Sequence, residues 1–500
     1  MHLHPDTTIS PEELAAGKRA LVRDAGWASM TGALSGGVLL VSFALSLGAG
    51  PLAIGLLAAI PFLAQAAQLP SISLVERIRQ RKKIVVILLT VARALILSLA
   101  VLPFLPDTVA LPLLIAAQFI IAALGSMAAC AINSWFHQLL PPEGLGAFFA
   151  RRLLVASALA CGGTLAAGLL VDNPIAGDAS LAYALAFTGA GLAGFASSMY
   201  LARTPEPIMP DRGADTSLWS RLRVPLQDHN FRRLLILMAS WNLATNLAAP
   251  FLTVYLIQQL GYSLSTVTTL WVSSQVANAF TLFIWGRLSD RLSNKAVLGV
   301  ALPAYFACML GLVFTDVAAP YGLQLELLYL LHVLMGAASG GIGLATGNLG
   351  LKLAPKAEGT TYLAAIGLVS AIAGGVAPVA GGAIAEWFTA SQLSVVVRWV
   401  SPLRTNEVSF LSFAHWEFLF AISAVCGLYV MHALSRIREG HDISERQVIQ
   451  ELALEALRTV NHLSTIGGVL GSIFAFERLA EHRRMPRARF IRMARWRRPT

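Results

Sequence analysis

Charged residues are scarce in this chain, and that scarcity excludes a soluble globular protein. Only 13% of the 500 residues are charged, whereas 56% are hydrophobic. Apolar runs of about 20 residues recur along the sequence, which is the length that an α-helix needs to cross a bilayer. Because lipid offers the backbone no hydrogen-bond partners, we expect an all-α polytopic membrane protein.

Other features are also missing. The four cysteines (Cys130, Cys161, Cys308 and Cys426) lie inside apolar segments without metal-ligand spacing, so neither a disulfide framework nor a metal site is predicted. There is no phosphate-binding glycine loop and no Ser-His-Asp candidate above chance. The N-terminus is polar up to about Arg23, so we expect no cleavable signal peptide. These absences predict a protein that is not an enzyme and uses no cofactor.

A net charge of +10 is typical of a nucleic-acid-binding protein, but the positions of the basic residues indicate another explanation. Thirteen of the 37 Lys and Arg residues follow Met431, and most others lie in alternate loops. Membrane topology accounts for this distribution, since cytoplasmic loops are enriched in Lys and Arg. We therefore predict no nucleic-acid partner.

The apolar runs predict twelve transmembrane helices, an even number that places both termini on one side. The basic loops predict that this side is the cytoplasm of a bacterial inner membrane. A proline-rich central loop separates two groups of six spans. The predicted spans are approximately 26–48, 52–73, 84–104, 109–133, 152–172, 181–201, 232–258, 265–285, 296–314, 325–350, 361–385 and 414–435.

The resulting domain organisation has five parts. They are a cytoplasmic N-terminal segment (1–25), a six-helix half (26–201), a cytoplasmic linker (202–231), a second six-helix half (232–435) and a cytoplasmic amphipathic and arginine-rich tail (436–500). The two halves repeat each other weakly at a constant offset along the chain. At this offset Trp27 corresponds to Trp241, and Gln118 to His332.

A charged stretch between the eighth and ninth spans carries a specific motif. Gly286 is followed by Asp290-Arg291 and then by Lys295. This Gly-x-x-x-Asp-Arg-x-x-x-Lys pattern resembles the cytoplasmic loop signature of the major facilitator superfamily, although Ser293 stands where that signature usually has a second glycine. The first half carries a degenerate copy at the corresponding place in the repeat.

The resemblance implies the major facilitator fold, with two six-helix halves and alternating access. It also implies that the two loops hold the cytoplasmic side closed. The Pro378 region of the eleventh span resembles the glycine-proline helix motif of the same superfamily, whereas the fifth span has no proline, so the antiporter signature is not supported. The predicted gating residues are Gly286, Asp290, Arg291, Lys295, Glu76 and Arg77.

Polar side chains near the middle of the spans are candidates for a substrate site. Such groups are costly in lipid unless they line a cavity or meet a partner, so each amide either binds a ligand or forms an interhelical hydrogen bond. For His332 a functional role and a packing role are both open. The resemblance implies that the fourth, seventh, eighth and tenth spans, which carry these candidates, face the central pathway. The predicted substrate-binding residues are Gln118, Asn242, Asn246, Gln275, Asn278 and His332.

Ionisable residues are nearly absent from mid-depth. Asp24 and the other acidic residues fall near the predicted span ends, so His332 is the one mid-depth group expected to titrate near neutral pH. Arg93 is the single charge placed well inside a span. It is either a substrate or ion site or the partner of carbonyl groups inside the first half.

Two segments outside the spans leave alternatives open. Residues 387–414 form an insertion that fits either a short β-strand or an interfacial segment. Residues 459–476 favour a helix lying on the membrane surface over a thirteenth span. The eight arginines of residues 483–498 fit either attachment to anionic lipid headgroups or a disordered basic tail.

We therefore expect a secondary transporter of a small polar or amphiphilic solute, acting as a monomer in the lipid bilayer. The alternative is a membrane assembly factor, lipid-handling protein or receptor that keeps the transporter fold without moving a soluble substrate.

The topology can be tested by thiol labelling. A cysteine replacing Ser391 should react with an impermeant reagent on intact cells, because its loop is predicted to lie outside. Cysteines replacing Ala214 or Ser444 should not react, because both positions are predicted to be cytoplasmic. The opposite labelling pattern would contradict the twelve-span orientation.

Overall fold

The computed structural model describes residues 4–6, 9–141, 144–174, 177–209, 218–355, 359–401 and 404–439, so the predicted arginine-rich tail lies almost wholly outside the described residues. Within these ranges twelve helices are long and apolar enough to cross a membrane, as predicted. The elements are α1 (Pro11–Ser35), α2 (Gly37–Ser46), α3 (Pro51–Leu63), α4 (Gln68–Ile78), α5 (Arg81–Ser98), α6 (Asp107–Leu139), α7 (Leu145–Asp172), α8 (Ala179–Ala202), α9 (Leu218–Gln227), α10 (His229–Val254), α11 (Leu264–Arg291), α12 (Asn294–Gly311), α13 (Thr315–Ala318), α14 (Gln324–Leu353), α15 (Gly359–Trp387), β1 (Gln392–Ser401), β2 (Arg404–Ala414) and α16 (Glu417–Ser435).

The first two spans each contain two helices, α1 with α2 and α3 with α4, and the seventh to twelfth spans contain α10, α11, α12, α14, α15 and α16. The first span begins at Pro11 rather than near residue 26. Ser10 and Glu13 form a capping box, in which the Glu13 N–H donates to Ser10 Oγ at 3.2 Å and the Ser10 N–H donates to Glu13 Oε2 at 2.8 Å. This cap starts the helix at a polar sequence that hydropathy alone does not assign to the span.

The two ends of the bundle differ in charge. One end, called here the arginine-rich end, carries Arg79, Arg151, Arg203, Arg287 and Lys352, and there α1 begins and α16 ends. The other end, called here the hairpin end, carries β1 and β2.

The insertion between the last two spans forms a β-hairpin, which selects the strand alternative. β1 and β2 pair antiparallel from Gln392 opposite Ala414, with a register shift between Val395 and Val396. The base of the hairpin packs on the bundle through Phe413 of β2, whose ring centroid lies 5.7 Å from that of Phe418 in α16.

A buried carboxylate ties the linker to the first half. Glu206 is fully buried, and its carboxylate accepts the backbone N–H groups of Arg81 (2.6 Å) and Lys82 (3.1 Å) at the start of α5. It also pairs with the Arg81 guanidinium at 3.2 Å. The carboxylate therefore compensates both the buried cation and the positive end of the helix.

The second half repeats this arrangement. Glu439, which follows the end of α16, accepts the backbone N–H groups of Asn294 (3.2 Å) and Lys295 (2.6 Å) at the start of α12 and the Lys352 ammonium at 3.1 Å. Burial raises the pKa of the Glu439 carboxyl, but these hydrogen bonds outweigh burial and hold that pKa below its usual range. In each half, a carboxylate that follows the last span thus binds the start of the third span.

At the hairpin end the halves meet along the second and eleventh spans. A Cβ added at Gly55 would collide with the carbonyl oxygen of Pro378, and one added at Gly382 would lie 2.6 Å from the carbonyl oxygen of Pro51. The absence of side chains at these two positions lets α3 and α15 touch backbone to backbone.

The fifth and eighth spans form a second contact between the halves at the same end. Asp172, at the end of α7, accepts the backbone N–H groups of Leu264 (3.0 Å) and Ser265 (2.6 Å) at the start of α11. Gly168 lies directly against Thr268 one turn away. A carboxylate from one half therefore caps a helix of the other.

The arginine-rich end is different, because there the halves are apart. The principal contacts between halves involve α2, α3 and the end of α7, whereas α1 and α4 pack mainly within their own half. Only 11% of the apolar window of the fourth span is buried, against 56% for the ninth. The fourth span is therefore exposed along most of its apolar length.

Candidate functional site

The first span is interrupted after 25 of its 36 residues. α1 ends at Ser35 and α2 begins at Gly37, with Gly36 extended and Gly37 at a φ of 53° that favours glycine. The interruption frees the Ser35 carbonyl oxygen, which accepts a hydrogen bond from the amide of Gln118 at 3.2 Å. Broken spans at mid-depth form binding sites in transporters, because they expose backbone polar groups there.

The second span changes its helical pitch at a similar depth. A 3-10 turn at Ala64–Ala67 joins α3 to α4. Just before this turn, Phe62 packs on Gly374 and Leu63 packs on Gly375, so the turn lies where the contact with the eleventh span ends. Mid-helix 3-10 segments often mark hinges.

Asn242 and Asn246 are both half-buried on α10. Each amide nitrogen donates to a carbonyl one helical turn earlier, Met238 at 2.8 Å and Asn242 at 2.9 Å. Among the described residues no donor reaches either amide oxygen, so each side chain retains an acceptor. The neighbouring Thr245 hydroxyl is buried without a partner. This face of α10 therefore has unused hydrogen-bonding capacity.

On α11, Gln275 is exposed and Asn278 lies against α14. A Cβ added at Gly340 would lie 3.1 Å from the Asn278 carbonyl oxygen, and one added at Gly336 would collide with the carbonyl oxygen of Ser274. Gly336 and Gly340 therefore serve close helix packing, and Asn278 belongs to that interface.

His332 is buried on α14, with 4% of its surface exposed. Its Nδ1 lies 2.8 Å from the Leu328 carbonyl oxygen, and its Nε2 is buried without a partner. Since Nδ1 must donate to that carbonyl, a neutral ring presents Nε2 as an acceptor.

The predicted gating residues lie at the arginine-rich end, where the halves are apart. Within the described residues, Asp290 is exposed and forms no hydrogen bond with the start of α15. A Cβ added at Gly286 would meet only Leu344, at 3.9 Å. Lys295 joins the Glu439 cluster through its backbone. Arg77 is exposed in the first-half copy of the motif, and Arg291 is exposed in the second.

A buried carboxylate that hydropathy did not reveal lies in the neighbourhood of Arg93. Asp24 is 4% exposed in α1, accepts a hydrogen bond from Ser197 at 2.7 Å and pairs with Arg152 at 3.7 Å. Arg93 lies within electrostatic reach of Asp24, and its side chain fills the space beside Gly194. This buried cluster joins the first, third, fifth and sixth spans inside the first half.

The Asp24 cluster predicts a stability effect. Asp24→Asn should lower the free energy of unfolding by about 2–4 kcal/mol, because it leaves two cations in the first half without their carboxylate. Adding Arg93→Gln should restore part of the loss, since the two residues interact. The measurement is unfolding of the purified protein in detergent, with Glu12→Gln as the exposed control. Additive effects of Asp24→Asn and Arg93→Gln would show that these residues are not coupled.

Comparison with known proteins identifies the architecture. Residues 25–378 match the family model described as Major Facilitator Superfamily. No curated protein matches the sequence.

Among solved structures, a variant of the nucleoside transporter NupG has a TM-score of 0.64 and 13% identity, covering 85% of this chain and 100% of its own. A bacterial homologue of the human lysosomal transporter Spinster, in an inward-facing conformation, has a TM-score of 0.59 and 15% identity, covering 89% of this chain and 98% of its own. A D-xylose-proton symporter has a TM-score of 0.58 and 13% identity, covering 85% and 97% respectively. At these identities the likeness shows the fold. Together with the family match, it shows that the chain belongs to the major facilitator superfamily.

Proposed function

We propose that this chain is a secondary transporter that moves a small polar or amphiphilic solute across a bacterial inner membrane by alternating access. The observation that carries the proposal is the asymmetry of the bundle, which is closed at the hairpin end and parted at the arginine-rich end. With the arginine-rich end in the cytoplasm, as the loop charges favour, the described state is inward-open.

The substrate site that we propose lies beside the break in the first span. Gln118 and the broken backbone supply it from the first half, and Asn242, Asn246 and Gln275 supply it from the second. We propose that Asn278 and His332 border it through the interface between α11 and α14. Amides donate and accept hydrogen bonds without charge, so this set suits a neutral, hydroxyl-bearing solute.

The chemistry of the structural neighbours supplies probes for this proposal. Two of the structural neighbours are a nucleoside transporter and a D-xylose-proton symporter, and nucleosides and pentoses are both neutral and rich in hydroxyl groups. Uridine, adenosine and xylose should therefore be screened by thermal shift of the purified protein. A compound that raises the melting temperature should then accumulate faster in protein-containing vesicles than in empty ones. Equal accumulation in both would contradict transport.

The proposed site predicts the effect of removing one amide. Asn246→Ala should weaken binding of the stabilising compound by about 1–3 kcal/mol, because a buried polar partner loses its hydrogen bond. His332→Ala should remove any pH dependence of binding that the imidazole causes. The measurement is binding across a series of pH values, with size-exclusion profiles to check folding and Asn173→Ala, an exposed amide at the hairpin end, as the control. Normal affinity in both variants would assign the amides a structural role.

The gating motif predicts a shift between states. We propose that Asp290 contacts the N-terminal end of α15 when the arginine-rich end closes, where the helix dipole stabilises a carboxylate by about 0.3–2 kcal/mol. Asp290→Asn should then favour the inward-open state. Thiol accessibility of a cysteine at Gly343, which faces open space, should rise in this variant. Unchanged accessibility and transport would exclude the gating role.

A further inference from the structure

A basic pocket opens between the seventh and twelfth spans at the arginine-rich end. It has a volume of about 260 Å³ and lies between the first two turns of α10 and the last turns of α16. Its cationic and imidazole lining residues are His229, Arg232, Arg233, His432 and Arg436. The proposed transport function does not use this pocket, which lies outside the pathway between the halves.

The basic groups in this pocket have more hydrogen-bond donors than acceptors. Arg232 Nη2 lies 3.2 Å from His229 Nδ1, and Arg233 Nη2 lies 3.1 Å from His229 Nε2. A neutral imidazole accepts through only one nitrogen, and a protonated one accepts through neither. At least one guanidinium therefore faces an N–H group. An anion with several oxygens would relieve this conflict.

No carboxylate of the described residues compensates the pocket. Asp228, next to His229, is engaged with the backbone N–H groups of Asn230 and Phe231, both at 3.0 Å. Glu439 is engaged at the start of α12. Among the described residues no ion pair forms with the guanidinium groups of Arg232, Arg233 or Arg436.

The surroundings of the pocket indicate where its ligand comes from. Tyr429 and Ile236 line it and are 56% and 41% exposed, and the next turns of α16 expose Val425 (65%) and Leu428 (61%). Such an apolar surface faces lipid chains in a bilayer-spanning helix. The pocket is therefore bordered by acyl chains on one side and by the basic end of the bundle on the other.

We propose that this pocket binds the phosphate headgroup of an anionic phospholipid in the leaflet at the arginine-rich end. Guanidinium groups form paired hydrogen bonds with phosphate oxygens, which would satisfy Arg232 and Arg436 from outside the chain. Basic pockets between transmembrane helices are sites for such headgroups. The exposed face of α16 would receive the acyl chains.

The repeat of the two halves provides a matched control. At the offset that pairs Trp27 with Trp241, Arg232 and Arg233 correspond to Lys18 and Arg19 of α1. Position 229 then corresponds to Ala15, so the first half carries two cations at the same end without the histidine between them. Replacing Lys18 and Arg19 with glutamine removes the same charge without touching the pocket.

The test is native mass spectrometry of the purified full-length protein titrated with phosphatidylglycerol or phosphatidylcholine. Arg232→Gln/Arg436→Gln leaves in place the hydrogen bond that Arg233 donates to the Arg436 carbonyl oxygen. This variant should bind phosphatidylglycerol about 25-fold more weakly, at about fivefold per arginine near an anionic headgroup. Lys18→Gln/Arg19→Gln should retain the affinity of the unmodified protein. Arg232→Gln alone, an exposed substitution, serves if the double variant does not fold.

Three outcomes would overturn the proposal. Equal weakening in the two double variants would show nonspecific attraction to basic residues. Binding of phosphatidylcholine by the unmodified protein as strongly as phosphatidylglycerol would show that headgroup charge has no role. Displacement of phosphatidylglycerol by an equimolar amount of inorganic pyrophosphate would identify a site for a soluble phosphate rather than for a lipid.

Discussion

A polar group inside a bilayer has to find its partner within the protein, and the architecture of this chain follows from that constraint. Asp24, Ser197 and Arg152 satisfy one another inside the first half. On α10, Asn242 and Asn246 bond to carbonyl groups of their own helix. At the break after Ser35 the carbonyl oxygen has no partner within its own helix and accepts a hydrogen bond from Gln118 instead. This break marks the level at which we propose a substrate site.

The same constraint explains what holds each half together. Glu206 and Glu439 each cap the third span of their own half with a carboxylate brought from beyond the last span. Between the halves, the Asp172 carboxylate caps α11, and glycines at positions 55 and 382 let α3 and α15 touch backbone to backbone. These contacts lie at the hairpin end, which suits a rocking motion of the kind that superfamily members use to alternate access.

The arginine-rich end combines charges that are used in different ways. Arg81 is buried and paired with Glu206, and Lys352 is paired with Glu439. In contrast, Arg232, Arg233 and Arg436 surround a cavity with no paired carboxylate among the described residues. The loop charges therefore do more than orient the chain, since some fasten helices and others remain available to an external anion.

The sequence by itself determined the number of spans, the two-half organisation and the superfamily. These properties follow from the length of apolar runs and from motifs such as that around Asp290, which are local in the chain. Other features depended on the tertiary structure, because they join distant segments. Glu206 lies in the predicted linker, and only folding brought its carboxylate to the start of α5. Asp24 fell near a predicted span end, but the capping box at Ser10 lengthened the helix around it, and folding brought Arg93 and Arg152 towards its carboxylate. The basic pocket arises where α10 and α16, which open and close the second half of the chain, come together. The sequence pattern indicates which side chains are costly to bury, whereas the packing of the helices determines which partner compensates that cost.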